Sequence, residues 1–268
     1  MVKYNIVLSH TKSADTVERY EKWYKHMSIM LLFGFLLLSA CGPVGHPPEV
    51  PYITSDTIHN EPFDSVDSRA WIIESEVPVT LAECISNGAL DLDVPGGITV
   101  WHTTRFNGDI LFEFEVTVIE AGGKNDRVSD LNCFWMATDP AHPDDFFRRS
   151  SWRKGTFWHY YTLNLYYVGY GGHDNTKTRM RRYDTSLKPP PPILQEYNDV
   201  THRIVPNQRN RIQIACFGAT VSYFFNGEEV FAITDERPYR EGYFGFRTTD
   251  NHMKIHNFTV YALTEKEN

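Results

Sequence analysis

The densest chemistry in the chain lies between Phe146 and Lys188, where nine basic side chains stand against two acidic ones, Asp174 and Asp184. Eleven aromatic residues share the window. Guanidinium forks pair with carboxylates through two parallel hydrogen bonds, and flat rings cover the apolar C–H face of a pyranose. Together they suit an acidic sugar. At the centre is Tyr167-Val168-Gly169-Tyr170-Gly171-Gly172-His173-Asp174-Asn175, and then Arg179, Arg181 and Tyr183 alternate with Thr178, Met180 and Arg182. In a strand that alternation puts Arg179, Arg181 and Tyr183 on one face. Glycine inside a strand marks a bulge or a place where a ligand approaches the backbone.

Tyr, His, Arg and Asn are the groups needed for β-elimination at a uronate. Arg or Asn neutralises the carboxylate so that the C5 proton becomes acidic; Tyr or His removes it and protonates the leaving oxygen. His173 or Tyr170 is therefore the expected base, Arg179 and Arg181 the carboxylate clamp, and Asn175 the orienting group. Tyr167 and Tyr183 are expected on the binding surface, His102 is a second histidine candidate, and Trp135 and Asp139 are expected from a facing loop. A run of ordinary strand-lining tyrosines with solvated arginines is the plain alternative. Glycoside hydrolysis needs two carboxyl groups flanking the bond. Glu113 and Glu115 share a strand face, but a solvated outer face explains that spacing equally well. The turn Thr138–Asp145 has oxygen ligands for a structural calcium but lacks an EF-hand pattern. No zinc spacing occurs, and no other cofactor is expected.

These residues need a scaffold, and strand signals supply one. Ile110–Val118 alternates, with Phe112, Phe114 and Val116 against Glu113, Glu115 and Thr117. Ala89–Val94 alternates likewise and is expected to stop at Pro95-Gly96-Gly97. Arg211–Cys216 and Val221–Phe225 read as consecutive strands, and Asn226-Gly227 supplies a tight hairpin turn before Val230–Ile233. Gly242–Arg247 and Ile255–Leu263 close the pattern. No convincing 3.6-residue stripe follows residue 60, so the expected fold is all-β, a two-sheet antiparallel jelly-roll sandwich. A composition of 41% hydrophobic and 22% charged residues excludes collagen-like, disordered and multi-span membrane classes. The net charge of -8 argues against a free nucleic-acid binder.

The order of pieces from Phe63-Asp64-Ser65 through Gly88–Leu92, Asp109–Glu115, the Tyr223–Gly227 hairpin and Gly242–Arg247 to Asn257–Val260 resembles the concanavalin A-like lectin/glucanase superfamily. The blocks Ser129–Ala137, Tyr166–Gly172 and Asn175–Arg179 resemble, within it, an uncharacterised exported family of Bacteroides-type polysaccharide utilisation. The resemblance spans about residues 62–263 and implies a polysaccharide or oligosaccharide partner, but no activity that transfers residue by residue. The constellation itself is analogous to that of jelly-roll alginate lyases, without their strand motifs. A non-catalytic lectin-like module and a glycoside hydrolase of the same fold remain the alternatives.

Ile29–Leu38 is a ten-residue apolar run, too short to span a bilayer and suited to a signal-peptide core. Leu38-Ser39-Ala40-Cys41-Gly42 resembles the lipobox of bacterial lipoproteins, which implies lipidation at Cys41 and removal of residues 1–40. Glycine rather than aspartate after Cys41 implies the outer membrane, contacted through the lipid alone. The expected organisation is a leader over 1–40, a Pro-rich tether over 41–60 and one domain over 61–268. The mature chain would carry 21 basic and 31 acidic side chains and three cysteines, Cys84, Cys133 and Cys216.

Overall fold

The computed structural model describes residues 50–65 and 67–267. The leader, Cys41 and the first part of the expected tether lie outside the described residues. Thirteen strands follow in order: β1 (Tyr52–Glu61), β2 (Trp71–Ser75), β3 (Leu90–His102), β4 (Phe106–Asn107), β5 (Ile110–Val118), β6 (Leu131–Thr138) and β7 (Asn164–Gly171). Then come β8 (Lys177–Tyr183), β9 (Ile193–Tyr197), β10 (Asn210–Phe217), β11 (Thr220–Phe225), β12 (Glu228–Thr234) and β13 (Glu241–Glu265).

Strand β13 ties the sandwich together. Its first part lies between β3 and β6, and the sheet continues through β7 and β8 to β9. Its last part lies between β1 and β5, and that sheet continues through β10 and β11 to β12. Register shifts bend the strand where Asp250 and Asn257 take φ of 44° and 54°. One 25-residue strand thus serves both layers of an antiparallel jelly-roll sandwich.

Side-chain alternation builds the core as the sequence predicts. In β5, Phe112, Phe114 and Val116 are buried between the layers while Glu113, Glu115 and Thr117 face outward. Asn226 and Gly227, at φ of 53° and 85°, turn β11 into β12. Cys84, Cys133 and Cys216 are buried free thiols.

Two expectations change. Strand β3 does not stop at Pro95-Gly96-Gly97 but runs on to His102. The proline and Gly96 (φ 80°) occupy a bulge opposite Asp250, whose carboxylate accepts the Gly96 N–H at 2.8 Å. The segment from Tyr52 to Asn60, read as tether, is strand β1, whose backbone pairs with Phe258–Glu265 along the edge of β13.

Candidate functional site

Six strands of one layer place a single row of side chains across the face turned away from the main core. Their registers align Thr99 on β3, Arg247 on β13, Asn132 on β6, Gly169 on β7, Arg179 on β8 and Glu196 on β9. The neighbouring row is Trp101, Gly245, Phe134, Tyr167 and Arg181. Adjacent strands lie about 4.8 Å apart, so the backbones of Arg247 and Arg179 stand roughly 14 Å from each other.

The irregular segment 146–162 covers part of this face. Phe146 and Tyr160 pack with Trp101, Phe134, Tyr167 and Tyr183 in a second aromatic cluster. Ion pairs of Arg149 and Arg153 hold the segment down. Arg153 donates to Glu74 through Nε and Nη2, at 2.9 and 2.7 Å, with both side chains fully buried. Arg149 donates to Asp139 in the same two-pronged fashion, at 2.8 and 2.7 Å. Where the cover ends, Phe157, Trp158 and Tyr161 form the wall of a cavity of about 490 Å³ above Gly169.

The cavity is basic. Arg127, Lys177, Arg179, Arg181, Arg247 and His173 line it, against Glu76 and Asp130. Arg127 pairs with Asp130 and Asp174, and Lys177 and Arg179 pair with Glu196. Arg181 and Arg247 form no ion pair among the described residues. Arg181 donates to the Pro191 carbonyl; Arg247 donates to Thr99 Oγ1 at 3.0 Å and the Gly155 carbonyl at 2.8 Å. The Arg247 guanidinium lies 5.0 Å from the Phe157 ring centre and 5.1 Å from that of Tyr160. At 2% exposure it is a nearly buried cation without a carboxylate, which ring quadrupoles offset only in part. Glu76 is already occupied, accepting from the Gly97 N–H and Thr156 Oγ1.

Tyr167 and His173 add groups able to exchange protons. Burial, reinforced by Asp130, holds the Tyr167 phenol well above its ordinary range, so it stays a protonated donor at neutral pH. Arg179 Nη1 lies 2.9 Å from His173 Nε2. Because a guanidinium can only donate, that nitrogen is the acceptor of a neutral imidazole. His173 sits in a left-handed turn with Asp174 and Asn175, at φ of 53°, 54° and 60°. Such a run is costly for residues with a Cβ. It is held by Asp174 accepting from Arg127, and by the Asn175 amide, which both donates to and accepts from the Ile204 backbone at 2.8 Å.

Of the residues singled out in the sequence, His173, Arg179, Arg181 and Tyr167 line the cavity. The others do not. Tyr170, expected as a base, is turned to the opposite face because Tyr166, Val168 and Tyr170 share the inward parity of β7. Its ring stacks on Phe225 at 4.4 Å, and burial pushes its phenol up to about 12. Trp135 points into the main core beside Tyr166, by the same parity on β6. Tyr183 keeps the face predicted for it but is fully buried beneath Tyr161 and Tyr167. Asn175 is spent on the Ile204 backbone. His102 is buried against Trp71 and His59, away from the cavity lining; burial lowers its pKa to about 3. Asp139 is buried under Arg149, and among the described residues no cluster of three or more His, Cys, Asp or Glu side chains could hold a metal. Glu113 and Glu115 face outward from the other layer, Glu113 accepting from Arg211 and Gln213 and Glu115 from Asn257.

Arg247 and Asn132 enter the site without having been chosen from the sequence for it, and Trp158 enters as one of the aromatic residues of the 146–188 window. The signal for Arg247 was a charge ending the apolar run Gly242–Phe246, and for Asn132 a lone amide within the strand-like block Ser129–Ala137. Neither pattern distinguishes a site from an edge.

Several solved structures share the fold. A protein of unknown function with a galectin-like fold from Bacillus subtilis aligns at a TM-score of 0.64 and 16% identity, covering 80% of this chain and all of that one. Porphyranase B from Zobellia galactanivorans aligns at 0.53 and 10% identity, covering 83% and 98%. A β-1,3-1,4-glucanase (lichenase) from a mouse hindgut metagenome aligns at 0.50 and 16% identity, covering 76% and 98%. At these identities the likeness is one of fold, that of the concanavalin A-like and galectin-like jelly rolls. No curated protein matches the chain. A family model matches residues 92–258, from near the start of β3 through the larger part of β13, and by that match the chain belongs to the family described as domain of unknown function DUF6250.

Proposed function

We propose that this chain binds an acidic, uronate-containing polysaccharide in the cavity above Gly169. One observation carries the reading: Arg181 and Arg247 face the same cavity, and neither has a carboxylate of its own among the described residues. A ligand carboxylate supplies the missing charge through charge-assisted bonds. Trp158, 65% exposed on the cavity wall, offers a ring face to a pyranose. That two proteins of the same fold are named as a glucanase and a porphyranase supports carbohydrate as the ligand class. The lipobox-like sequence at Cys41 supports a lipid-anchored position in the cell envelope, in keeping with an exported polysaccharide-utilisation role.

Calorimetric titration with oligomers of galacturonate, glucuronate and mannuronate, each beside its carboxyl-reduced counterpart, tests the reading. Binding is expected for at least one charged series, and Arg181→Ala should weaken it at least about tenfold, the scale of one charge-assisted bond. Binding of the neutral counterparts alone, or equal losses for both, overturns it.

A second reading, cleavage by β-elimination, is favoured by the presence of His173 and Tyr167 on the walls that hold the arginines. A substrate carboxylate draws Arg179 from His173 and frees Nε2. His173 Nε2 then takes the C5 proton, the electron pair forms the C4–C5 double bond, the C4–O4 bond breaks, and Tyr167 gives its phenol proton to the departing oxygen. Growth of unsaturated-uronate absorbance on incubation with the bound oligomer tests this step. Reducing ends without that absorbance point to hydrolysis, and affinity with neither leaves binding alone.

A further inference from the structure

The cavity floor holds an acceptor with nothing to accept. Asn132 is 4% exposed, and its Nδ2 donates to Asp130 Oδ1 at 3.3 Å. A carboxylate cannot donate, so the amide nitrogen must face Asp130 and the amide oxygen must face away from it. That oxygen, Oδ1, is buried and has no hydrogen-bond partner. It looks toward Gly169: a Cβ built on that glycine would meet Asn132 Oδ1 at 3.2 Å and would also meet the Tyr167 hydroxyl. The Tyr167 hydroxyl takes the space that a side chain at Gly169 would fill, and it stands with Asn132 in the lining of the cavity. Across the sheet in the other direction, Arg247 is the residue directly opposite Asn132.

We infer that Asn132 is the specificity-determining residue of the cavity, its Oδ1 receiving a sugar hydroxyl close to the acidic group held by the arginines. The inference rests on the binding reading above and narrows its substrate class. Both a carboxylate and a sulfate ester satisfy a guanidinium. An amide oxygen, however, repels anionic oxygens and accepts only from a group that carries a proton. A sugar whose charge is a carboxylate keeps its ring hydroxyls as donors, whereas ester sulfation removes the proton of the oxygen it modifies. The site therefore selects uronates with a free hydroxyl facing Asn132 over sugars of equal charge whose sulfate ester occupies that position. Discrimination of this kind is strong, because a buried acceptor left unpaired costs more than the bond itself contributes.

The test compares wild type, Asn132→Ala and Asn132→Ser on the uronate oligomer that binds best and on a sulfated galactan oligomer of equal length. Wild type should prefer the uronate by at least about tenfold. Asn132→Ala should lose most of that preference while keeping a salt-dependent affinity for both ligands. Asn132→Ser retains an acceptor oxygen and should recover part of it. If Asn132→Ala melts early, Asn132→Ser and the uronate/sulfate ratio of wild type still decide the matter. A wild type that prefers the sulfated oligomer, or variants with an unchanged ratio, overturns this inference and leaves acidic-glycan binding standing. Binding of neither ligand overturns both.

Discussion

Arg247 on β13 stands directly opposite Asn132 on β6. A nearly buried cation without a carboxylate and a buried amide oxygen without a donor are therefore cross-strand neighbours, with Cβ atoms about 5 Å apart. Neither lack is repaired by the surrounding protein. A sheet that carries complementary unmet demands side by side is organised around something it does not itself contain.

Gly169 is the gap in the row. A methyl group there would collide with the Tyr167 hydroxyl and press on Asn132 Oδ1. Tyr167 cannot simply swing aside, since its ring is packed against Phe134, Phe157 and Tyr183. Gly169→Ala is expected to destabilise the fold by about 1–3 kcal/mol, the scale of core overpacking. It should also weaken oligouronate binding by a larger factor than that strain alone brings to a remote site. Chemical denaturation and titration of the same variant check both; undiminished affinity would show that the ligand lies elsewhere.

The cover over half of the sheet depends on Arg153 and Glu74. Replacing Arg153 by Met strands a buried carboxylate and should cost about 3–5 kcal/mol. The double variant with Glu74→Met should be more stable than Arg153→Met alone, because no charge is then left unpaired. Urea denaturation of the three proteins measures this, and a double variant less stable than the single one would refute it.

His102 sets an acid limit. Burial, then the neighbouring His59, lowers its pKa to about 3, and its Nδ1 accepts the Thr104 N–H at 3.1 Å, a bond available only to the neutral ring. Its ordinary value is 6.5, so below that pH the unfolded chain binds a proton that the folded chain refuses. This contribution is complete above pH 6.5 and is lost progressively as pH falls toward 3. The loss amounts to several kcal/mol at most, from about 1.4 kcal/mol per unit. Melting temperatures across that range should fall more steeply for wild type than for His102→Phe. Parallel slopes would place the acid sensitivity in other groups.

Cys41 is the expected lipid attachment point. In a host that processes bacterial lipoproteins, wild type should incorporate labelled fatty acid and sediment with membranes. Cys41→Ala should do neither while keeping the melting temperature of the domain. Incorporation by the variant would dismiss the lipobox reading.

Periodicity in the sequence was enough to establish an all-β sandwich, because strands that bury one face must alternate. Phe112, Phe114 and Val116 do so opposite charged neighbours. The hairpin at Asn226-Gly227 and the shared face of Arg179, Arg181 and Tyr183 follow from equally local rules, as does the clustering of cations and rings that suggested an acidic sugar. Local rules failed on β7. Both parities there are aromatic or apolar, so alternation could not say whether Tyr167 or Tyr170 faced the cavity. The structure decides it by laying the 146–162 segment over the outer face, which buries the strand on both sides. Nor could spacing along the chain foresee Arg247 and Asn132. They lie 115 positions apart and meet only through the register of β13 on β6, which the bulges of the long strand and the packing of two layers set together. The chain alone thus determined which kinds of group were present and which neighbours shared a face. Distant register, the covering segment and the inward or outward parity of a doubly buried strand decided which of them converge, since those depend on the free energy of the whole packed sandwich and not on any one stretch of it.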